Sequence, residues 1–126
     1  MKIIGGKYRS RTIAVPKGIR PVSMRVKKAC FDLLGGEMSG MRVLDLFAGS
    51  GSLGLEAYSR GAESVVFVDS QRNCLSAVRG NSVFMAAASK IVIYCKDSFM
   101  ALENLGEKKE QFDLIFLDPP YYKGML

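Results

Sequence analysis

The stretch VLDLFAGSGSLG, residues 43–54, decides the fold of this 126-residue chain. Its apolar first part predicts a buried strand, its glycines predict a tight turn, and the residues that follow predict a helix. A strand that runs into a glycine-rich turn and then a helix is typical of α/β proteins that bind a ligand at the turn. Gly49, Gly51 and Gly54 also fit the GxGxxG spacing, which is weak evidence by itself.

Downstream of this stretch, strand and helix patterns alternate. We predict strands at residues 42–47, 64–69, 90–96 and 112–118, separated by helices at 52–60, 71–87 and 98–105. Apolar strands that alternate with helices predict an α/β fold with a doubly wound, mostly parallel sheet.

The N-terminal part of the chain follows a different pattern. Residues 2–15 predict a basic β-hairpin that turns at Gly5-Gly6, and Ser23 is a suitable N-cap for a helix that ends before Gly35. The expected buried face of this helix consists of the apolar residues Val26, Ala29, Cys30, Leu33 and Leu34. We therefore divide the chain into a basic extension, residues 1–34, and an α/β domain, residues 35–126.

The net charge of +6 is unevenly distributed. Residues 1–28 hold nine of the 18 Lys and Arg residues and no acidic residue, whereas the rest of the chain holds nine basic and 12 acidic residues. This asymmetry favours a polyanionic partner held by one end of the protein. The alternative is a solvated basic tail.

The composition excludes several kinds of chemistry. The chain has no histidine, which excludes Ser-His and Cys-His catalysis and argues against a zinc site, so we predict no metal. The sequence shows no membrane-spanning stretch and no secretory signal. Its three scattered cysteines fit a reducing cytoplasm, where we expect them to be small buried apolar residues.

Each predicted strand contains, ends in or is soon followed by an aspartate: Asp45, Asp69, Asp97 and Asp118. The carboxyl ends of parallel strands gather along one edge of a doubly wound sheet, where ligands bind. An acid at the end of the second strand can accept hydrogen bonds from both hydroxyls of a ribose. The pattern therefore predicts a cofactor that contains a nucleoside: NAD, FAD or S-adenosylmethionine.

The motif Asp118-Pro119-Pro120-Tyr121 follows the fourth strand. The two prolines fix the backbone, so the Asp118 carboxylate and the Pro119 carbonyl can accept the two hydrogens of an exocyclic amine. The Tyr121 ring can stack on the base that carries this amine. Held in this way, the amine can direct its lone pair at a methyl donor, and transfer depends on positioning more than on a strong base.

These motifs resemble those of class I S-adenosylmethionine-dependent methyltransferases that modify amino groups. The segments IIGGKYRSR (3–11), RPVSMRV (20–26), ACFDLL (29–34), LDLFAGSG (44–51) and LEA (55–57) more specifically resemble the bacterial 16S rRNA guanine-N2 methyltransferase family, RsmD type. This resemblance covers essentially the whole chain.

The resemblance implies a role for each motif. The implied S-adenosylmethionine contacts are Asp45, Phe47, Ala48, Gly49, Ser50 and Gly51 on the methionine side, Asp69 and Ser70 at the ribose, and Asp97 and Ser98 near the adenine. Residues 118–121 would hold the target guanine. The implied contacts to 16S rRNA in the small ribosomal subunit are Lys7, Arg9, Arg11, Arg20 and Arg25.

The chain departs from the family in two respects. It has Met24 where the family usually has an acid, and it ends about 60 residues earlier, without the last three strands. We therefore expect a C-terminally truncated enzyme whose fourth strand has a free edge, which another chain could complete. The alternatives are a DNA adenine-N6 methyltransferase and a remnant that binds cofactor or RNA without catalysis.

Overall fold

The computed structural model describes residues 1–85 and 90–119. Within these residues the chain forms four helices, four strands and a 3-10 turn. In chain order they are α1 (Met24–Leu33), β1 (Arg42–Leu46), α2 (Ser52–Ser59), β2 (Ser64–Asp69), α3 (Arg72–Ser82) with the 3-10 turn Val83–Met85, β3 (Ile91–Cys95), α4 (Ser98–Glu107) and β4 (Leu114–Leu117). The predicted helix 71–87 is thus α3 and the 3-10 turn, and its last two residues lie outside the described part.

The four strands form one parallel sheet in the order β3-β2-β1-β4. The chain winds outward from β1 to β3 and then returns to the other side of β1, so the connections diverge between β1 and β4. Ligands bind in the crevice at such a switch point, beyond the carboxyl ends of the strands.

The strands alternate their side chains between two apolar layers. Val43, Val65 and Phe67 face one layer, which also contains residues of α1, α2 and α3. Leu44, Leu46 and Val68 face the other, which contains Ala101 and Leu105 of α4. Helices on both faces confirm the predicted doubly wound sheet.

The predicted N-terminal hairpin is less regular than expected. The Lys2–Thr12 pair forms a single antiparallel bridge, and the connecting residues make turns instead of two strands about Gly5-Gly6. Ile3 and Ile13 are buried in the same core as β1 and β2, so this segment is packed onto the α/β domain. We call residues 2–15 the N-terminal segment.

The prediction for the buried face of α1 was wrong. Lys27 and Phe31 are its buried residues, whereas Val26 is 52% and Leu33 is 89% exposed. The apolar spacing was misleading because Lys27 finds a buried acidic partner, which a one-dimensional pattern does not show. The prediction of buried cysteines holds for Cys74 only, since Cys30 is half-buried and Cys95 is exposed.

The outer edge of β4 has no partner strand among the described residues. Ile115 is 49% and Leu117 is 62% exposed on the α4 side of this strand. Val22, Val26, Leu53 and Phe116 line an apolar cavity of about 270 Å³ on the opposite side, next to Asp118. No helix in the described part of the chain is long and apolar enough to cross a membrane.

Candidate cofactor and substrate site

The turn between β1 and α2 adopts backbone conformations that favour glycine. Gly49 has φ 59° and Gly51 has φ 82°, and a Cβ built at Gly51 would lie 2.9 Å from a Val78 methyl carbon. Phe47, which begins the turn, also has a positive φ, of 56°. A bulky residue in this conformation is strained by about 1–3 kcal/mol, and such strain is concentrated at functional sites.

Hydrogen bonds to neighbouring strands and helices hold this turn. The Phe47 amide donates to Ser98 Oγ at the start of α4 (3.3 Å), and the Ala48 amide donates to the Val68 carbonyl of β2 (2.9 Å). Ser50 is buried, and its backbone carbonyl accepts a hydrogen bond from the Asn81 side chain (3.1 Å). The turn is therefore held from β2, α3 and α4 together.

Asp69 joins the ends of β1 and β2. Its carboxylate accepts hydrogen bonds from the amides of Gly49 (3.0 Å) and Gln71 (2.9 Å). An ionised carboxylate has about four acceptor positions, so two amides leave room for the two hydroxyls of a ribose. Asp69 is half-buried, and Ser70 beside it is exposed.

Asp45 lies inside β1 and is 2% exposed. Its carboxylate accepts a hydrogen bond from the Gly54 amide (3.0 Å), which ties the strand to α2 across the turn. Burial raises the pKa of Asp45 to about 8, assisted by the negative charges of Asp118 and Asp69 and opposed by the Gly54 hydrogen bond. The side chain is thus largely neutral at pH 7 and contributes a fixed hydrogen bond more than a charge.

Asp97 and Ser98 lie at the end of β3. The Asp97 carboxylate caps α4 by accepting from the amides of Phe99 and Met100, both at 3.0 Å. Phe99 is 67% exposed, and its ring lies edge-on to Phe47 with a centroid distance of 5.7 Å. This exposed ring is a surface that could contact a planar adenine.

Asp118 and Pro119 are exposed directly after β4. Since β4 pairs with β1 in register from Val43 to Leu46, Asp118 lies at the same sheet edge as the β1 turn. Its negative charge adds to the burial that raises the pKa of Asp45. Pro120 and Tyr121 lie outside the described residues.

The structure thus gathers the carboxyl ends of β1, β2, β3 and β4 along one edge, as the sequence predicted. The glycines of the turn allow a ligand to approach the backbone closely, and Asp69 beside it supplies an acidic ribose acceptor, which fits a cofactor that contains a nucleoside. The described residues do not form a cluster of three or more Cys, Asp or Glu side chains that could hold a metal ion.

The basic residues predicted to bind RNA are all exposed. Lys7, Arg9 and Arg11 lie on the N-terminal segment, Arg20 lies before α1, and Arg25 lies in its first turn. Exposed basic side chains on these segments can be reached by a polyanion.

The buried polar residues Lys27, Glu56 and Asn81 near the site were not predicted. The Glu56 carboxylate accepts from the amides of Ile4 (2.8 Å) and Gly5 (2.9 Å) and forms ion pairs with Lys27 and Arg60. Burial alone would raise the pKa of Glu56, but these hydrogen bonds and charges outweigh it, so the pKa lies below its ordinary value. The Glu56–Arg60 spacing of four residues was the one signal in the sequence.

Fold and site together are those of a class I methyltransferase domain, and comparison with known proteins agrees with this class. The sequence pattern of the family described as Conserved hypothetical protein 95 matches residues 1–126. The chain belongs to this family.

Two relatives of known sequence illustrate the similarity. YlbH of Bacillus subtilis (strain 168) is 37% identical over 128 residues, which cover 100% of this chain and 70% of YlbH. Ribosomal RNA small subunit methyltransferase D of Escherichia coli (strain K12) is 34% identical, and the match covers 100% of this chain and 63% of that protein. The chain therefore spans about two thirds of the length of these relatives.

Solved structures show the same fold. The Escherichia coli protein yhhF superposes with a TM-score of 0.81 at 32% identity, covering 100% of this chain and 67% of that one. A hypothetical protein of Thermus thermophilus gives a TM-score of 0.84 at 30% identity, covering 99% of this chain and 72% of that one.

Proposed function

We propose that this chain carries the cofactor-binding part of an S-adenosylmethionine-dependent methyltransferase that modifies the exocyclic N2 amine of a guanine in 16S rRNA. The relative in Escherichia coli is named as a small-subunit rRNA methyltransferase. The observation that carries the proposal is the contact between the Asp69 carboxylate and the Gly49 amide, at the edge of the sheet where Asp118 follows β4.

The proposed cofactor contacts follow the placement of the side chains. Asp69, with Ser70 beside it, binds the ribose, because its remaining acceptor positions match two hydroxyls. Asp97 and Ser98 lie by the adenine at the end of β3. The turn residues Phe47, Ala48, Gly49, Ser50 and Gly51, supported by Asp45, lie against the methionine part.

When bound, S-adenosylmethionine supplies an electrophilic methyl group. The Asp118 carboxylate and the Pro119 carbonyl accept the hydrogens of the target amine and aim its lone pair at that group. From the sequence, Pro120 would restrict the backbone and the Tyr121 ring would stack on the base. The Asp118 carboxylate, within reach of the amine, could also take up the proton that the amine would lose when it is methylated. Transfer would depend on positioning and electrostatics more than on a strong base.

The N-terminal extension, residues 1–34, is proposed to contact the RNA. Lys7, Arg9, Arg11, Arg20 and Arg25 would neutralise phosphates, while residues 35–126 bind the cofactor. A base must leave its stack to reach Asp118, so a loop or distorted helix of the small subunit is the expected substrate. Such a substrate places the protein in the cytoplasm.

We also propose that another polypeptide segment pairs with the outer edge of β4. Within residues 1–85 and 90–119 no strand pairs with this edge, and Ile115 and Leu117 beside it are exposed, which supports the proposal because an apolar edge strand pairs readily. Mixing the chain with the part of the Escherichia coli relative that lies outside the matched region should form a complex. A mixture in which both components elute separately from a sizing column would contradict this pairing.

The function is tested by transfer of a tritiated methyl group from S-adenosylmethionine to naked 16S rRNA, small subunits and duplex DNA. We expect label in small-subunit RNA, recovered as N2-methylguanine after digestion. Label in duplex DNA as N6-methyladenine would favour the DNA enzyme instead. Binding of S-adenosylhomocysteine without any transfer, even with the added segment, would favour a binding remnant.

A further inference from the structure

Two buried polar side chains connect the same pair of segments. Asn81 of α3 is 6% exposed, and its Nδ2 donates to the Ser50 carbonyl in the β1–α2 turn (3.1 Å). The same amide holds the N-terminal segment, because Nδ2 donates to the Ala14 carbonyl (2.9 Å) and Oδ1 accepts from the Ala14 amide (2.8 Å).

Lys27 of α1 makes a second connection of this kind. It is fully buried, and its Nζ donates to the Lys2 carbonyl (3.0 Å) and to Ser52 Oγ (2.8 Å). Lys2 and Ala14 lie at the two ends of the N-terminal segment, whereas Ser50 and Ser52 lie on either side of Gly51. Each end of the segment is therefore joined to one side of the turn.

The three contacts of Asn81 require an amide side chain. Only a carboxamide presents two N–H donors and a carbonyl acceptor in one planar group. The reverse orientation would point its NH₂ group at the Ala14 amide, so the contacts themselves fix the orientation. Removing the amide would leave the buried Ser50 carbonyl without this partner, which is costly, and would release the exposed Ala14 from the turn.

We infer that Asn81 and Lys27 are positioning residues that fasten the N-terminal segment to the β1–α2 turn. They thereby fix the position of the proposed RNA-contacting surface relative to the proposed cofactor turn. The inference rests on the proposed function for the meaning of the two surfaces. The hydrogen bonds that join them do not depend on it. Its consequence is that loosening either connection disturbs both surfaces together.

The first test measures amide hydrogen exchange of the unliganded protein. In Asn81→Leu we expect faster exchange at the amides of Gly51 in the turn and of Ile13 and Ala14 in the segment. The amides of Phe99 and Met100 in α4 should exchange at their wild-type rates once the change in global stability is taken into account. The control is Leu105→Ala, which opens a cavity on the opposite face of the sheet. It should lower stability without a local increase at the turn.

The second test measures binding of S-adenosylhomocysteine and of a 16S rRNA fragment by calorimetry. Asn81→Leu should weaken both at least tenfold, whereas Leu105→Ala should leave both within twofold at a temperature where it is folded. Should Asn81→Leu fail to fold, Asn81→Asp keeps the acceptor for the Ala14 amide and loses the donors to Ser50 and Ala14. The same joint increase in exchange is expected for it.

The outcomes separate the two proposals. Exchange that rises in the N-terminal segment alone, with the Gly51 amide unchanged, would overturn the inference. Wild-type protein that binds no S-adenosylhomocysteine would overturn the proposed function, and the exchange measurements would still decide whether Asn81 joins the two segments. Lys27→Met should also speed amide exchange in both the segment and the turn, here on the side of the turn near Ser52. Unchanged exchange near Ser52 would contradict the role of Lys27.

Discussion

The Asp69 carboxylate accepts a hydrogen bond of 3.0 Å from the Gly49 amide, which connects the end of β2 to the turn after β1. This contact holds the proposed ribose acceptor against the proposed methionine turn. Because both groups come from parallel neighbouring strands, their spacing is fixed by the sheet itself.

Asp69→Ala should weaken binding of S-adenosylhomocysteine by about 10- to 100-fold, since hydrogen bonds to a charged group contribute about 1.5–3 kcal/mol. The variant loses the ribose acceptor and the partner of the Gly49 amide. Calorimetry gives the affinity. Asp32→Ala, which removes an exposed carboxylate paired with Lys28, serves as the control and should bind like wild type. Unchanged affinity in Asp69→Ala would remove Asp69 from the cofactor site.

Asp45 should make stability fall as pH rises. Its pKa in the folded protein is about 8, above the ordinary value of 3.8, so the folded state binds the extra proton. The resulting stability is complete below about pH 4 and is lost as pH rises through about 8. Asp45→Asn keeps an acceptor for the Gly54 amide and should flatten this part of the profile. Urea unfolding between pH 5 and 9 measures the effect, and parallel profiles for both proteins would refute it.

Lys27 and Lys28 form a matched pair of adjacent lysines. Lys27→Met should lower the free energy of unfolding by about 3 kcal/mol, because it removes one partner of a buried ion pair with Glu56. Lys28→Met breaks an exposed pair with Asp32 and should change stability by less than about 0.5 kcal/mol. Denaturant unfolding compares them. Equal losses in the two variants would show that burial of the pair is irrelevant to stability.

Two helical glycines should respond to alanine with opposite signs. A Cβ at Gly54 would overlap the Phe67 ring, so Gly54→Ala should destabilise by about 1–3 kcal/mol. No described atom outside its own helix and chain neighbours lies within 4 Å of a Cβ built at Gly80, so Gly80→Ala should stabilise α3 by about 0.5–1 kcal/mol. Thermal unfolding of both variants checks the signs.

Removing two basic residues of the N-terminal extension should weaken RNA binding without changing cofactor affinity. For Arg9→Ala combined with Arg20→Ala, we expect the slope of log affinity against log salt concentration to decrease in magnitude by about 1 to 2. Arg42→Ala is the control, since Arg42 lies in the body and pairs with Glu110. A filter-binding series over salt concentration gives the slopes, and an equal loss of cofactor affinity would indicate a structural role instead.

The sequence by itself determined the alternating strands and helices, the parallel sheet and the gathering of Asp45, Asp69, Asp97 and Asp118 at one edge. These features depend on local apolar periodicity and on the fixed direction of parallel strands, both of which are readable along the chain. Glycine at positions 49 and 51 was likewise readable, because the turn needs positive φ.

Only the tertiary structure decided which face of α1 is buried and how the N-terminal segment is attached. Lys27 is inside because Glu56 and the Lys2 carbonyl, distant in sequence, meet its ammonium group. Asn81 holds the turn because α3 brings it beside Ser50 and Ala14. The burial of a polar side chain depends on partners from other elements, and no periodicity in its own helix encodes them.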